Sequence, residues 1–225
     1  MEASQIPMNF TFRSADGRDD FLVATPNEEA VGWIDKWPAW PGGHLILNGP
    51  KGCGKSHLAG VWQTMSGAKC FQASDLAELT IEELTDIAST SVLCEDADVG
   101  MPETELFHLF NLLVENRNSM LITADKSPNQ WNLTLPDLKS RIGAIPIAKI
   151  DEPDDQLFAA LVVKHFSDRQ LAVTPDVVQY LLYRIERSFA EIARIVSILD
   201  KRALAQKRKI SIPLIREVLL EEQGN

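Results

Sequence analysis

The stretch GPKGCGKS, Gly49 to Ser56, decides how the rest of the chain is read. It fits the pattern G-x-x-x-x-G-K-[ST] at every fixed position, with Gly49, Gly54, Lys55 and Ser56 in the fixed places and Gly52 and Cys53 between them. Glycines let the backbone fold so that its N–H groups face phosphate oxygens, Lys55 adds a point charge at the β- and γ-oxygens, and Ser56 offers a hydroxyl to Mg2+. The pattern carries weight only where a strand precedes it and a helix follows. Here HLILN (His44 to Asn48) is a short apolar run, and SHLAGVWQTM sets Leu58, Val61, Trp62 and Met65 at helical spacing. Both flanks are in place, so the stretch reads as a loop that cradles the phosphates of a nucleotide. His57 follows it directly. Because such a loop works through its backbone and Lys55, His57 is expected to pack on the helix or against the ribose side of the nucleotide.

Outward from the loop, short apolar runs alternate with helical patterns. AKCFQ, SVLCE, SMLITA and IPIAKI read as buried strands, and TELFHLFNLLVENRN carries a 3.6-residue apolar stripe. Strands alternating with helices predict an α/β fold, a mostly parallel αβα sheet of about five strands. From Asp151 onward the pattern holds helices alone: DDQLFAALVVKHFSDR, PDVVQYLLYRIE with Thr174 as N-cap and Pro175 at the first helical position, FAEIARIVSILDKRALAQKR, and PLIREVLLEE. The expected organisation is a flexible tail at 1–18, a nucleotide-binding αβα domain at 19–152 and a helical domain at 153–225, divided where proline and acids cluster in DEPDD.

Composition narrows the partners. With 225 residues, 45% of them hydrophobic and 24% charged, the chain can build a full α/β core and a helical appendage. No apolar run reaches the ~20 residues of a membrane span, and the first residues lack a basic then apolar leader, so a cytoplasmic protein with no membrane contact is expected. Cys53, Cys70 and Cys94 form no CxxC pair, which suits free thiols. A net charge of −10 repels a phosphate backbone, and no sequence-specific DNA binding is expected. The basic run KRALAQKRK reads as a solvated helix end. The tryptophans of GWIDKWPAWPGG read as core rather than as a base-stacking platform.

Three further sites follow. SVLCEDAD ends a strand in Glu95 and Asp96, of which Glu95 would hold Mg2+ and Asp96 would polarise water. LITADKSPNQW ends another strand in Asp125, within reach of a terminal phosphate or the attacking water. LPDLKSRIG places Arg141 on a short helix, and Arg187 opens a helix in the C-terminal segment.

These parts, in this order, resemble an AAA+ ATPase, and GKSHLAG, LITADKSPNQW, LPDLKSRI and DFLVATPNEEA resemble the ATPase module of the bacterial initiator DnaA over roughly Asp20 to Leu220. DnaA has an N-terminal interaction domain and a C-terminal helix-turn-helix domain for which this chain leaves no room. The resemblance is therefore to the Hda-type homologues that inactivate DnaA. It implies an AAA+ domain with a helical lid, adenine nucleotide held as ADP or ATP with Mg2+, and contacts from Phe21 and Val23 to that nucleotide. It also implies that Arg187 touches its phosphates and that Arg141 acts as an arginine finger in a neighbouring subunit's site. The implied partners are DnaA and the sliding clamp (beta subunit) of DNA polymerase III, and the implied function is clamp-tethered stimulation of ATP hydrolysis by DnaA, which prevents re-initiation of replication. Homo-oligomerisation is left open.

The family's clamp peptide matches QIPMNF. Gln5 can bond at a pocket rim, Pro7 keeps the segment extended, and Met8 and Phe10 are apolar anchors, with Met8 where leucine is usual. Two departures matter. Glu95 then Asp96 reverses the usual Asp-Glu order and shifts the water-activating carboxylate by about one methylene, and a misplacement near 1 Å can cost about a hundredfold in rate. Slow intrinsic hydrolysis is expected. The segment between AKCFQ and SVLCE is also short for the DNA-engaging helical insertion of initiators and helicase loaders. Two alternatives stay open: a DNA-remodelling AAA+ ATPase such as a helicase loader, and a nucleotide-stabilised adaptor without hydrolysis.

Overall fold

The structure is a computed structural model that describes residues 11–15 and 18–223. The chain divides into two compact units, one of Arg13–Asp151 and one that includes Glu152–Asn225, so the division falls within DEPDD.

The first unit is built on five strands: β3 (His44–Asn48), β4 (Lys69–Gln72), β5 (Val92–Glu95), β6 (Met120–Ala124) and β7 (Ile147–Lys149). They pair in parallel in the order β4-β5-β6-β3-β7. The central strand β6 and its neighbour β3 are buried at every residue, as continuous apolar runs covered on both faces must be. The edges differ: β4 is mostly exposed and β7 buries only Ala148. Register sets Asn48 beside Ala124, so the loop after β3 and the loop after β6 leave the sheet side by side. Ligands of open parallel sheets bind at this carboxyl edge.

Five helices accompany these strands: α1 (Thr25–Asp35), α2 (Lys55–Ser66), α3 (Ile81–Ile87), α4 (Glu103–Asn116) and α5 (Pro136–Ala144). Helix α4 turns Leu106, Leu109, Phe110 and Leu113 inward, the stripe its sequence announces. Of the tryptophans of GWIDKWPAWPGG, Trp40 is buried and stacks on the buried Trp62 at 5.3 Å, whereas Trp37, edge-on to Trp62, and Trp33 are half-buried. Between β4 and β5 stand only a 3-10 segment, Ala73–Glu78, and the short α3.

A separate two-stranded sheet, β1 (Thr11–Ala15) with β2 (Arg18–Val23), occupies ground that the sequence reading gives largely to a tail. Its signal is the dipeptide Asp16-Gly17, a strong hairpin cue between the two runs.

The second unit contains α6 (Asp155–Ser167), α7 (Pro175–Leu182), α8 (Phe189–Gln206) and α9 (Ile212–Gln223) around its own apolar cluster of Phe158, Phe166, Leu181, Ile195, Leu199 and Leu214. Asp154 caps α6 by accepting from the Leu157 N–H at 2.8 Å, and Ser188 caps α8 by accepting from the Glu191 N–H at 3.1 Å. Helix α7 departs from expectation in two ways. Thr174 holds the N-cap position without a side-chain hydrogen bond, and the helix stops at Leu182 rather than running on through Glu186. The basic run spans the last turns of α8 and the residues just after it, where Arg202 pairs with Glu221 and Arg208 with Glu217 of α9. It is a solvated, acid-paired helix end.

Candidate functional site

The cleft lies where β3 gives way to α2. Gly52 and Gly54 take positive φ angles, 82° and 97°, and Gly54 serves as the N-cap of α2. No side chain fits at Gly54 or Gly49. A Cβ on Gly54 would meet Cε2 of Phe21 at 2.6 Å, and one on Gly49 would meet Cys53 Sγ, Ile150 Cβ and Ile150 O, each at 2.9 Å. The loop is therefore pressed between Phe21 on one side and Ile150 on the other. Phe21, itself buried, also stacks on His57 with ring centroids 5.2 Å apart. His57 thus packs at the start of α2, in keeping with its expected packing role.

The resulting cleft has a volume of about 580 Å³, and Gly52, Gly54, Lys55, Ser56, His57, Asp96 and Asp125 line it together with Lys51, Gln72, Ala73, Ser74 and Val99. The buried Lys55 ammonium donates to Gly49 O at 2.7 Å, to Pro50 O at 3.1 Å and to Asp125 Oδ1 at 2.6 Å. Cys53 is buried on the inner side of the loop, and that burial pushes its thiol pKa up, so it stays a neutral packing group. The exposed Cys70 thiol is also raised, by desolvation and then by Glu95, and the fully buried Cys94 is pushed up to about 12.

The two acids at the end of β5 part company. Glu95, expected to hold the metal, lies outside the cleft lining: its Oε2 accepts from Gln72 Nε2 at 3.4 Å and from Cys70 Sγ at 3.7 Å, both on β4. Pairing of Gln72 with Glu95 in the sheet register holds it there. At Asp96 the chain turns into the left-handed region, φ 55°, with the Asp96 N–H donating to Thr123 Oγ1 at 3.2 Å, and it is Asp96 that faces the cleft. Of the two acids, Asp96 lines the cleft and Glu95 does not.

Some supporting residues went unread in the sequence. The Asp98 carboxylate accepts from the Asp125 and Lys126 N–H groups, each at 3.1 Å, and so fixes the loop that presents Asp125. The buried Asn48 amide donates to Ala124 O and Asp125 O, both at 3.2 Å. Each had a signal: Asp98 is the third acid of EDAD, and Asn48 is a polar residue closing an apolar run.

Other predicted residues stand elsewhere. Val23 ends β2, half-buried and outside the lining. Arg141, half-buried on α5, is not among the lining residues; its guanidinium carbon lies 5.2 Å from the ring centres of both Phe107 and Phe110. Arg187 belongs to the second unit, one residue before the cap of α8, and pairs with Asp155 at 2.9 Å, whereas Glu191 is taken by Arg194. Gln5, Met8 and Phe10 lie outside the described residues.

In chemical terms the cleft offers backbone N–H groups of a glycine loop, one ammonium, one hydroxyl and carboxylates at its rim. Mg2+ takes few protein ligands and several phosphate or water oxygens, so Ser56 and Asp96 form a fitting donor pair for it beside phosphates. Among the described residues no group of three or more His, Cys, Asp or Glu could hold a metal without such help. Likewise, no described helix is long and apolar enough to cross a membrane.

Comparison with known proteins places this arrangement. Domain III of the Thermotoga maritima replication initiation protein DnaA superposes with a TM-score of 0.73 at 18% identity, covering 90% of this chain and 94% of that one. A DNA replication initiation factor gives 0.68 at 18% identity over 83% of this chain and 65% of the other, and AMPPCP-bound DnaA from Aquifex aeolicus gives 0.67 at 18% identity over 80% and 63%. The chain thus spans just under two thirds of the length of those two longer proteins. The fold is an AAA+ αβα domain with a helical lid. Residues 154–219 match the family model "Hda, lid domain".

Proposed function

We propose that this protein is a regulatory AAA+ protein that holds adenine nucleotide, is tethered to the DNA sliding clamp, and stimulates ATP hydrolysis by DnaA so that replication does not re-initiate. The observation that carries the reading is the pairing of an Hda-type lid at 154–219 with a DnaA-like base. One of the matched structures is of a replication initiator bound to AMPPCP, which supports a nucleotide for this cleft as well.

The roles divide among named residues. The loop N–H groups and Lys55 bind the phosphate chain, which must draw Lys55 from Asp125. Ser56 and Asp96 would hold Mg2+, which would supply positive charge beside the phosphates. Asp125, fixed by Asp98, orients water or the terminal phosphate. Arg187 of the lid reports the nucleotide's phosphates, Arg141 enters the ATP site of a DnaA subunit, and Gln5, Met8 and Phe10 bind the clamp. The proposed division keeps a clamp-binding segment within 1–18, a base at 19–152 and a lid at 153–225, in a cytoplasmic setting.

A second reading, a nucleotide-stabilised adaptor without hydrolysis of its own, is favoured by Glu95 facing β4, which leaves Asp96 as the single acid of the pair in the cleft. Hydrolysis of ATP by purified DnaA, with and without this protein and DNA-loaded clamp, tests the main proposal. Stimulation that requires the loaded clamp supports it, and its absence with either ADP or ATP in this protein's cleft removes it.

A further inference from the structure

The phosphate loop carries a second cation that its pattern does not require. The third position of G-x-x-x-x-G-K-[ST] is free, and loops of this kind work through their N–H groups and the lysine of the closing pair, yet this chain places Lys51 at that free position. Lys51 is exposed and lines the cleft, and among the described residues its ammonium has neither an ion pair nor a hydrogen bond. Lys55 is in the opposite condition, buried and bonded to two loop carbonyls and to Asp125.

The two lysines meet at one place. The Pro50 carbonyl that accepts from the Lys55 ammonium at 3.1 Å belongs to the same peptide as the Lys51 N–H, and Asp125 Oδ1 lies 2.6 Å from that ammonium. Lys51 therefore branches from the loop beside the contact between Lys55 and Asp125. In such loops the N–H groups cradle the α- and β-phosphates while the lysine ammonium reaches the β- and γ-phosphates, so this is the end of the cleft that receives the terminal phosphate of a triphosphate. Charge decides what can enter there. With His57 counted as neutral, Lys51 and Lys55 face Asp96 and Asp125 in the lining, and the balance depends on Lys51. Without it the cleft of a chain of net charge −10 would be anionic and would repel a terminal phosphate, most of all at Asp125. An ammonium on a flexible four-carbon stem can swing to meet that phosphate. We infer that Lys51 binds the terminal phosphate of a nucleoside triphosphate and offsets Asp125, so that it determines how well the cleft accepts a triphosphate relative to a diphosphate; this rests on the nucleotide-binding role proposed above.

The test is the affinity of the full chain for ADP and for AMPPCP, measured by calorimetry with Mg2+, in wild type, in Lys51→Gln and in Lys51→Gln combined with Asp125→Asn. Glutamine keeps a donor and removes the charge, and because Lys51 is exposed the melting temperature without nucleotide is expected to stay unchanged. Lys51→Gln is expected to weaken AMPPCP about ten- to a hundredfold and ADP by less than about threefold, the loss of one hydrogen bond between charged groups. The double variant is expected to recover AMPPCP affinity, since the carboxylate that Lys51 offsets is gone. Unchanged AMPPCP binding in Lys51→Gln, equal weakening of the two nucleotides, or a double variant as weak as the single one overturns the inference and leaves the nucleotide site standing. A wild-type protein that binds neither nucleotide overturns the proposed role of the cleft itself, and the inference with it.

Discussion

At the scale of single residues, Lys55 is the most consequential contact in the cleft, because its ammonium is buried and satisfied by two loop carbonyls and Asp125. Lys55→Ala is expected to abolish the rise in melting temperature produced by saturating ADP, since a ligand that binds only the folded state stabilises it by mass action. An ADP-dependent shift of wild-type size would place the nucleotide elsewhere. His44 gives an independent prediction. It is buried at the start of β3 against Phe110, neither ring nitrogen has a hydrogen-bond partner among the described residues, and burial lowers its pKa from 6.5 to about 4. The folded state keeps it neutral while the unfolded chain takes up a proton below pH 6.5, so stability falls as pH drops from about 6.5 towards 4, by about 3 kcal/mol in all. Urea unfolding at pH 7 and pH 5 is expected to show a smaller loss in His44→Leu than in wild type, in a window above the range where carboxylates such as Glu83 and Glu103 begin to protonate. Residue identity in the phosphate loop was legible because the chemistry sits in one contiguous string. The direction of Glu95 was not, because it depends on pairing with Gln72 and on a left-handed turn at Asp96, neither of which leaves a local trace.

Among elements, the central strands and the amphipathic helices were readable from period alone, and the loop after β3 from its glycines. The order β4-β5-β6-β3-β7 was not, because it is set by which long-range pairs form and not by any one segment. Nor was the hairpin of β1 and β2 read, although Asp16-Gly17 marked it. Helix caps show the limits of a propensity argument. Thr174 and Ser188 both occupy N-cap positions with a favoured residue, yet only Ser188 accepts a backbone N–H. Ser188→Ala is therefore expected to lower stability by about 1 kcal/mol and Thr174→Ala by only a few tenths, measured by urea denaturation. Equal losses would mean that the side-chain hydrogen bond at Ser188 is not what stabilises the start of α8.

For the whole molecule, the fold is shared with DnaA structures and residues 154–219 match the Hda lid model, and the tail, the clamp and DnaA enter through the proposed function. Replacing Gln5, Met8 and Phe10 together with alanine is expected to eliminate clamp pull-down and leave ADP affinity unchanged, because these residues are proposed to bind the clamp and not the nucleotide; surviving pull-down would assign clamp binding to another surface. The central claim is that Arg141 works on a bond in another subunit while this chain's own cleft serves to hold nucleotide. The most direct measurement compares Arg141→Ala with Asp96→Asn, both preloaded with ADP, for stimulation of DnaA hydrolysis in the presence of DNA-loaded clamp. Arg141→Ala is expected to fold, bind ADP and bind the clamp, yet lose stimulation by about a thousandfold or more, whereas Asp96→Asn is expected to stimulate like wild type. Retained stimulation by Arg141→Ala together with its loss in ADP-loaded Asp96→Asn would contradict the account and point instead to this chain's own ATP cycle.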